Sequence, residues 1–362
     1  MPRTYETLNL ASDLTTTRTL LHEAIPITGN IVSGTYGVYG SERNIKNYAH
    51  GQFQSVYDYP YLSSSANHIF DLTMGYDETS VMSSSTSIQN AKKINMYNEF
   101  SQVLLGYTGS ANTIEIFESD LNFGDNNRQM KEVFFVNFSR LLVKDQIKKG
   151  SFSISLSTGS WASGTPGAIN ATTASITLAD VSASETGGTN NKGNAGEYGV
   201  LWRSNAPASG AYGLVFYQAG IAVITASIFS SSIVGLQQDF NKTPGGVKQS
   251  LSASLTGSSI SGNCDAFRHR LQNLSFNNST EINSTIYFCR VPHNKFNYST
   301  NPTYTSASQI RVKAKASDTP VSYLTTIGLY NAENELLATA KLSEPLKKDP
   351  TTELTLRVRL DY

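Results

Sequence analysis

The cleanest alternation of apolar and polar positions lies at the end of the chain. Leu354, Leu356, Val358 and Leu360 alternate with Thr355, Arg357, Arg359 and Asp361. That period of two belongs to a half-buried strand, because successive side chains point to opposite faces. It predicts a terminal core strand. Just before it, residues 321–330 and 335–342 are two apolar-rich runs joined by Asn331-Ala332-Glu333-Asn334. Asn tolerates the positive φ that a tight turn needs, so these runs predict a β-hairpin.

A different period occupies residues 87–106. Ile88, Ala91, Ile94, Tyr97, Phe100, Val103 and Leu104 recur every three or four positions, with Lys92, Lys93, Asn95 and Glu99 between them. This predicts one clear helix, capped by Ser85, Thr86 or Ser87 and ended by Gly106. A short second helix is expected over 265–274, capped by Asn263 or Asp265. Elsewhere the runs are of strand type: 113–117, 133–138, 151–156, 174–178, 281–290 and 308–313, with Gly150 as a turn. Residues 197–202, 211–217 and 221–228 form the most apolar meander and are expected to be the central sheet. The fold class read from these patterns is mainly β, with antiparallel sheets in a sandwich-like arrangement.

Three segments are expected. Residues 1–85 read as an extended arm and irregular β structure, because their apolar bursts are broken by Gly and Pro. Residues 86–313 read as the main β-rich domain, carrying a long Ser/Thr/Gly loop at 157–196 that has little apolar surface to offset the entropy of ordering. Residues 314–362 hold the hairpin and terminal strand, packed on the main domain. No fixed-period repeat is visible, which argues against a propeller, a solenoid or a repetitive fibre shaft.

Composition changes the picture in one respect. Lys plus Arg number 28, as do Asp plus Glu, and only 15% of the 362 residues are charged, against about 25% in ordinary soluble domains. Nucleic acid and anionic membranes, which need a basic footprint, are not expected as partners. A neutral surface rich in Ser, Thr, Asn, Gly and Tyr suits burial against other protein subunits. Tyr36, Tyr39, Tyr48, Phe53, Tyr57, Tyr59 and Tyr61 crowd one segment and are the candidate interface anchors, with local packing as the competing reading. Cys264 and Cys289 permit one bridge at most and no zinc motif. The N-terminus shows no apolar signal region and no run approaches a membrane span, so cytoplasmic synthesis is expected.

No motif carries chemistry. The five histidines, His22, His50, His68, His269 and His293, have no metal-ligand spacing and read as surface or packing residues. Gly159-Ser160-Trp161-Ala162-Ser163-Gly164 departs from a nucleophile elbow and lies in the low-complexity loop. Glu115, Glu118, Asp120 and Asp125, with Asn122, Asn126 and Asn127, fit no calcium loop and read as turn chemistry. The basic pairs Lys92-Lys93, Lys148-Lys149 and Lys347-Lys348 read as solvated faces or ion pairs across a subunit boundary. Neither a catalytic residue, a cofactor nor a metal is expected.

The C-terminal hairpin, with Ile327-Gly328-Leu329-Tyr330, Glu335-Leu336-Leu337-Ala338 and Lys341-Leu342-Ser343-Glu344-Pro345, resembles a hairpin of tail-fibre, collar and baseplate-associated proteins of tailed bacteriophages. Residues 130–140, continuing through Lys148-Lys149-Gly150, and residues 213–224 are similar to stretches of virion structural proteins of contractile-tailed phages. The resemblance implies a virion component of the tail, baseplate, neck or fibre-attachment region, assembled in the host bacterial cytoplasm and working as a homo-oligomer with other virion proteins. A capsid decoration protein, a host glycan- or receptor-binding module and a polysaccharide depolymerase are the alternatives.

Overall fold

Continuous apolar runs become strands buried on both faces. The computed structural model describes residues 5–84, 87–107, 113–118, 128–158, 174–183, 191–204, 210–230, 240, 249–299, 301–307, 309–313, 315 and 317–362. The first part of the chain gives β1 (Leu14–Thr28), α1 (Gly29–Ser33), β2 (Ile45–Asn47), β3 (Gln54–Tyr57), β4 (His68–Tyr76) and α2 (Ile88–Leu104). The middle gives β5 (Glu132–Phe138), α3 (Arg140–Val143), β6 (Gln146–Ile147), β7 (Ser153–Ser157), β8 (Ser175–Ala179), β9 (Asn191–Gly193), β10 (Gly196–Arg203), β11 (Ala211–Phe216) and β12 (Ile221–Thr225). The last part gives α4 (Leu251–Gly257), α5 (Ile260–Arg268), β13 (Leu271–Val291), β14 (Thr305–Ser306), β15 (Gln309–Ile310), β16 (Ser322–Tyr330), β17 (Leu336–Lys348) and β18 (Leu354–Asp361). The protein is mainly β and its sheets are antiparallel.

The chain divides into two compact units, Leu21–Thr280 on one side and Met1–Leu20 with Glu281–Tyr362 on the other. In the first, the strand order is β13-β7-β8-β10-β11-β12-β5-β4-β3-β2. The expected meander is its centre. Phe134, Val136 and Phe138 of β5 join one apolar cluster with Leu72 and Met74 of β4 and Phe267 of α5. Val133 and Phe135 alternate into a second cluster with Leu214, Phe216, Tyr97 and Leu104. Alternation in a strand with both faces covered yields no polar face, which is why these runs are apolar throughout.

α2 forms where its period predicts, with Ser87 capping Asn90. It approaches β4 closely at Gly75, where an added Cβ would sit 2.6 Å from the Lys93 carbonyl and 2.7 Å from the Tyr97 nitrogen. Both are backbone atoms that cannot rotate away. Gly75→Ala is therefore expected to lower stability by about 1–3 kcal/mol through forced overpacking; an unchanged denaturant midpoint would show that α2 shifts freely.

Several expectations need correction. The second helix begins at Ile260, capped by Ser259, and ends at Arg268; residues 271–274 instead open β13, because Leu271 and Leu274 pair with β7. β13 thus starts ten residues before the expected strand. Of the expected strand at 308–313, the described residues 309–313 give only the two-residue β15, and 113–117 give one isolated bridge at Ile114. Within residues 14–76, β1, α1, β2, β3 and β4 are separated by irregular stretches, and β4 is a core strand whose Phe70, Leu72, Met74 and Tyr76 are buried. Much of the loop at 157–196 lies outside the described residues, as do Gly159 to Gly164.

In the second unit, β13 pairs with β18 from Ser284↔Asp361 to Val291↔Leu354, and β16 pairs with β17 as a separate two-stranded sheet. The hairpin turn is the one expected: Asn334 has φ +65, and the Glu335 amide donates to Asn331 Oδ1 at 2.7 Å. Arg290 Nε donates to Asp13 Oδ1 at 2.8 Å, which holds the start of β1 in this unit.

Candidate interface

All seven candidate rings are in the first unit and pair with other rings on a half-buried surface. Tyr36 meets Tyr59 edge-on at 5.4 Å, Tyr48 packs on His50 and Phe53, and Tyr57 packs on Tyr61 and His68. Tyr59 is 46% exposed, and Val38 and Leu62 beside these rings in sequence are 72% and 88% exposed. β2, β3 and β4 carry the sheet edge of this region, with Ser55 and Asp71 opposite each other in register. Ser55 Oγ donates to Asp71 Oδ1 at 2.5 Å, His68 Nε2 lies 2.9 Å from the same oxygen, and Tyr48 Oη is 3.2 Å from Ser55 Oγ. These bonds fix the positions of the Tyr48 and His68 rings.

Tyr39 leads inward. Its ring stacks on the buried imidazole of His269 at 4.2 Å, and below it Glu42 Oε1 lies 2.6 Å from His269 Nε2 and 3.3 Å from Arg268 Nη1. Arg268 Nη2 also donates to Asp265 Oδ1 at 2.8 Å, Arg268 Nη1 donates to the Val32 carbonyl at 2.9 Å, and Gln54 Nε2 donates to Asp265 at 2.7 Å. Both Arg268 and His269 side chains are fully buried. Burial alone would raise the Glu42 carboxyl, but the His269 contact and the Arg268 charge prevail and hold it near 2. Burial pushes His269 below its ordinary value. The network ties α1, the start of the aromatic segment and α5 together.

Sequence reasoning missed these charges because each is far from its partner along the chain. It also misplaced two lysines. Lys93 is fully buried and donates to the Leu255 and Ser258 carbonyls at 2.5 and 2.7 Å, satisfying the C-terminal end of α4. Lys348 is fully buried too, with Asn297 Oδ1 at 2.6 Å, while its neighbour Lys347 is 60% exposed. Lys149 pairs with Glu197 within the chain. The two cysteines are unbridged, and the Cys264 thiol donates to the Leu72 carbonyl. Asp120, Asp125, Asn122, Asn126 and Asn127 lie outside the described residues.

The second unit presents a different surface. Among the described residues, only Val291 and Val358 of this unit are buried apolar side chains, and neither core cluster includes any of its residues. The terminal strand was expected to be a core strand, yet Leu354, Leu356 and Leu360 are only half-buried. In the hairpin, Leu324, Ile327 and Leu329 are half-buried, and Tyr323, Leu336 and Leu337 are exposed at 49%, 52% and 69%. A two-stranded hairpin without a packed face is marginal in water. Among the described residues, the apolar side chains of this unit are therefore mostly left half-buried or exposed.

Comparison of the chain with protein-family models, curated proteins and solved structures gave no match.

Proposed function

We propose that this protein is a structural component of a tailed-phage virion, in the tail, baseplate, neck or fibre-attachment region, and that it works by protein–protein assembly. The observation that carries the reading is the second unit, whose strands are well paired but whose apolar side chains, among the described residues, are mostly half-buried or exposed. Such side chains belong in an interface, since burying apolar surface is the main favourable contribution to association. The hairpin's resemblance to tail-associated proteins supplies the setting. The half-buried rings at 36–61 supply a second contact surface of the aromatic kind that interfaces favour.

Quantitative mass spectrometry of purified particles, counting this chain against the portal and the major capsid protein, tests the assignment. A small multiple of three or six copies is expected. Hundreds of copies would move it to the capsid as a decoration protein, and absence from particles would refute the virion reading.

A further inference from the structure

The exposed edge of β16 has properties that single out its partner. β16 is bonded to β17 on one side, and among the described residues no other strand pairs with it. Its sequence, Ser322-Tyr323-Leu324-Thr325-Thr326-Ile327-Gly328-Leu329-Tyr330, contains no charge and no proline. Natural edge strands are normally blunted by one or the other, because an unprotected row of N–H and C=O groups recruits another strand. β17 shows the usual protection, with Lys341, Glu344, Pro345 and Lys347 along it. The register also shifts between Leu324 and Thr326. The extra residues of that irregularity lie on β17, and Leu324, Ile327 and Leu329 of β16 are all half-buried.

We infer that β16 adds, edge to edge and antiparallel, to β16 of a second copy of this chain across a two-fold axis, giving a four-stranded sheet in the order β17-β16-β16-β17. The inference rests on the assembly reading above and specifies one of its contacts. Two arguments favour a second copy in this orientation. An antiparallel pair of identical strands is self-complementary, as a two-fold contact must be, and an uncharged strand does not repel itself. The hairpin also differs along its length: Glu333 and Glu335 sit at the turn, and the open end carries Lys347, 60% exposed and 3.9 Å from Asp349. Antiparallel addition keeps the acidic turns of the two hairpins apart, whereas a parallel arrangement would set them side by side.

The area defines how tight this contact is. Nine residues span about 30 Å, and an edge about 10 Å thick buries on the order of 300 Å² per partner, less than the roughly 800 Å² per partner of a standard interface. The dimer is therefore weak and concentration-dependent, and its gain is that each marginal hairpin becomes part of a sheet of at least three strands.

The test is sedimentation equilibrium of the full chain over a range of concentrations, with amide hydrogen exchange across 322–330 at the same concentrations. The expected result is a monomer–dimer equilibrium in which the outward N–H groups of β16 gain protection as dimer forms. Thr325→Lys, which puts a charge on the exposed face of the otherwise uncharged strand in both copies, is expected to abolish both effects, and Thr325→Ser to keep them. Three results would overturn the inference: a chain monomeric at every concentration, a dimer without β16 protection, or a trimer. If Thr325→Lys does not fold, the wild-type exchange data decide alone. A β16 dimer made by a chain absent from virions would refute the virion reading only, and a monomeric chain counted in virions would refute the two-fold contact only.

Discussion

Arg268→Met is expected to destabilise the protein by about 3–5 kcal/mol, because it removes the cation from a buried cluster and strands its carboxylates. Arg268 is fully buried and contacts both Glu42 and Asp265. Without it, the charged contact left to Glu42 among the described residues is His269 at 2.6 Å. The double variant Arg268→Met with Glu42→Gln is expected to recover much of the loss, since the orphaned charge goes with its partner. Purely additive losses in a urea-unfolding cycle would show that the two residues do not act together.

The same cluster sets an acid limit. Glu42 is held near 2 in the folded protein against an ordinary 4.5, so its contribution is complete above about 4.5 and is lost as pH falls toward 2. His269 has a folded value below its ordinary 6.5. The unfolded chain therefore takes up that proton first, and stability begins to fall as pH drops through about 6.5. Both groups act in one direction. Melting temperature measured from pH 7 to 3 should decline in the wild type and decline less in a Glu42→Gln, His269→Phe variant; parallel curves would refute the assignment.

The second large effect is expected from Phe134→Ala, at about 3–5 kcal/mol for a fully buried ring whose neighbours cannot collapse into the space. Phe134 stacks on Phe267 of α5 at 4.7 Å and meets Phe229 edge-on at 6.2 Å and Phe240 at 6.0 Å. Those partners come from three separate places in the chain, so one cavity loosens all of them. Phe134→Leu should cost well under half as much, because it keeps most of the volume. Equal losses for the two variants would mean that aromatic geometry, and not filled volume, decides this site.

Local features were legible from the residues themselves. The helix at 88–104, the hairpin turn with Asn334 at positive φ and the strands at 132–138 and 211–225 follow from period, cap and turn chemistry within a few residues. The ends of elements were less so. Residues 271–274 were expected to continue a helix, and their pairing with β7 more than a hundred residues earlier drew them into β13. The seven aromatic side chains were visible as a cluster, and several pair with one another, but the stacking of Tyr39 on His269 was not visible. Nor was the charge network beneath Tyr39, since Glu42 and Arg268 are 226 residues apart.

The sequence by itself determined what each short stretch does locally: apolar runs become strands, Ser87 starts a helix, and an Asn-rich turn closes the hairpin. Those choices depend on neighbours within a few bonds, and side-chain period records them directly. The tertiary structure decided which polar groups are buried and which apolar faces stay open. Lys93 and Lys348 are buried with their Nζ groups donating hydrogen bonds to carbonyl oxygens far away in the sequence, and the alternating leucines of β18 are only half-buried. Burial depends on what arrives from elsewhere in the fold, which a local pattern of residues does not encode.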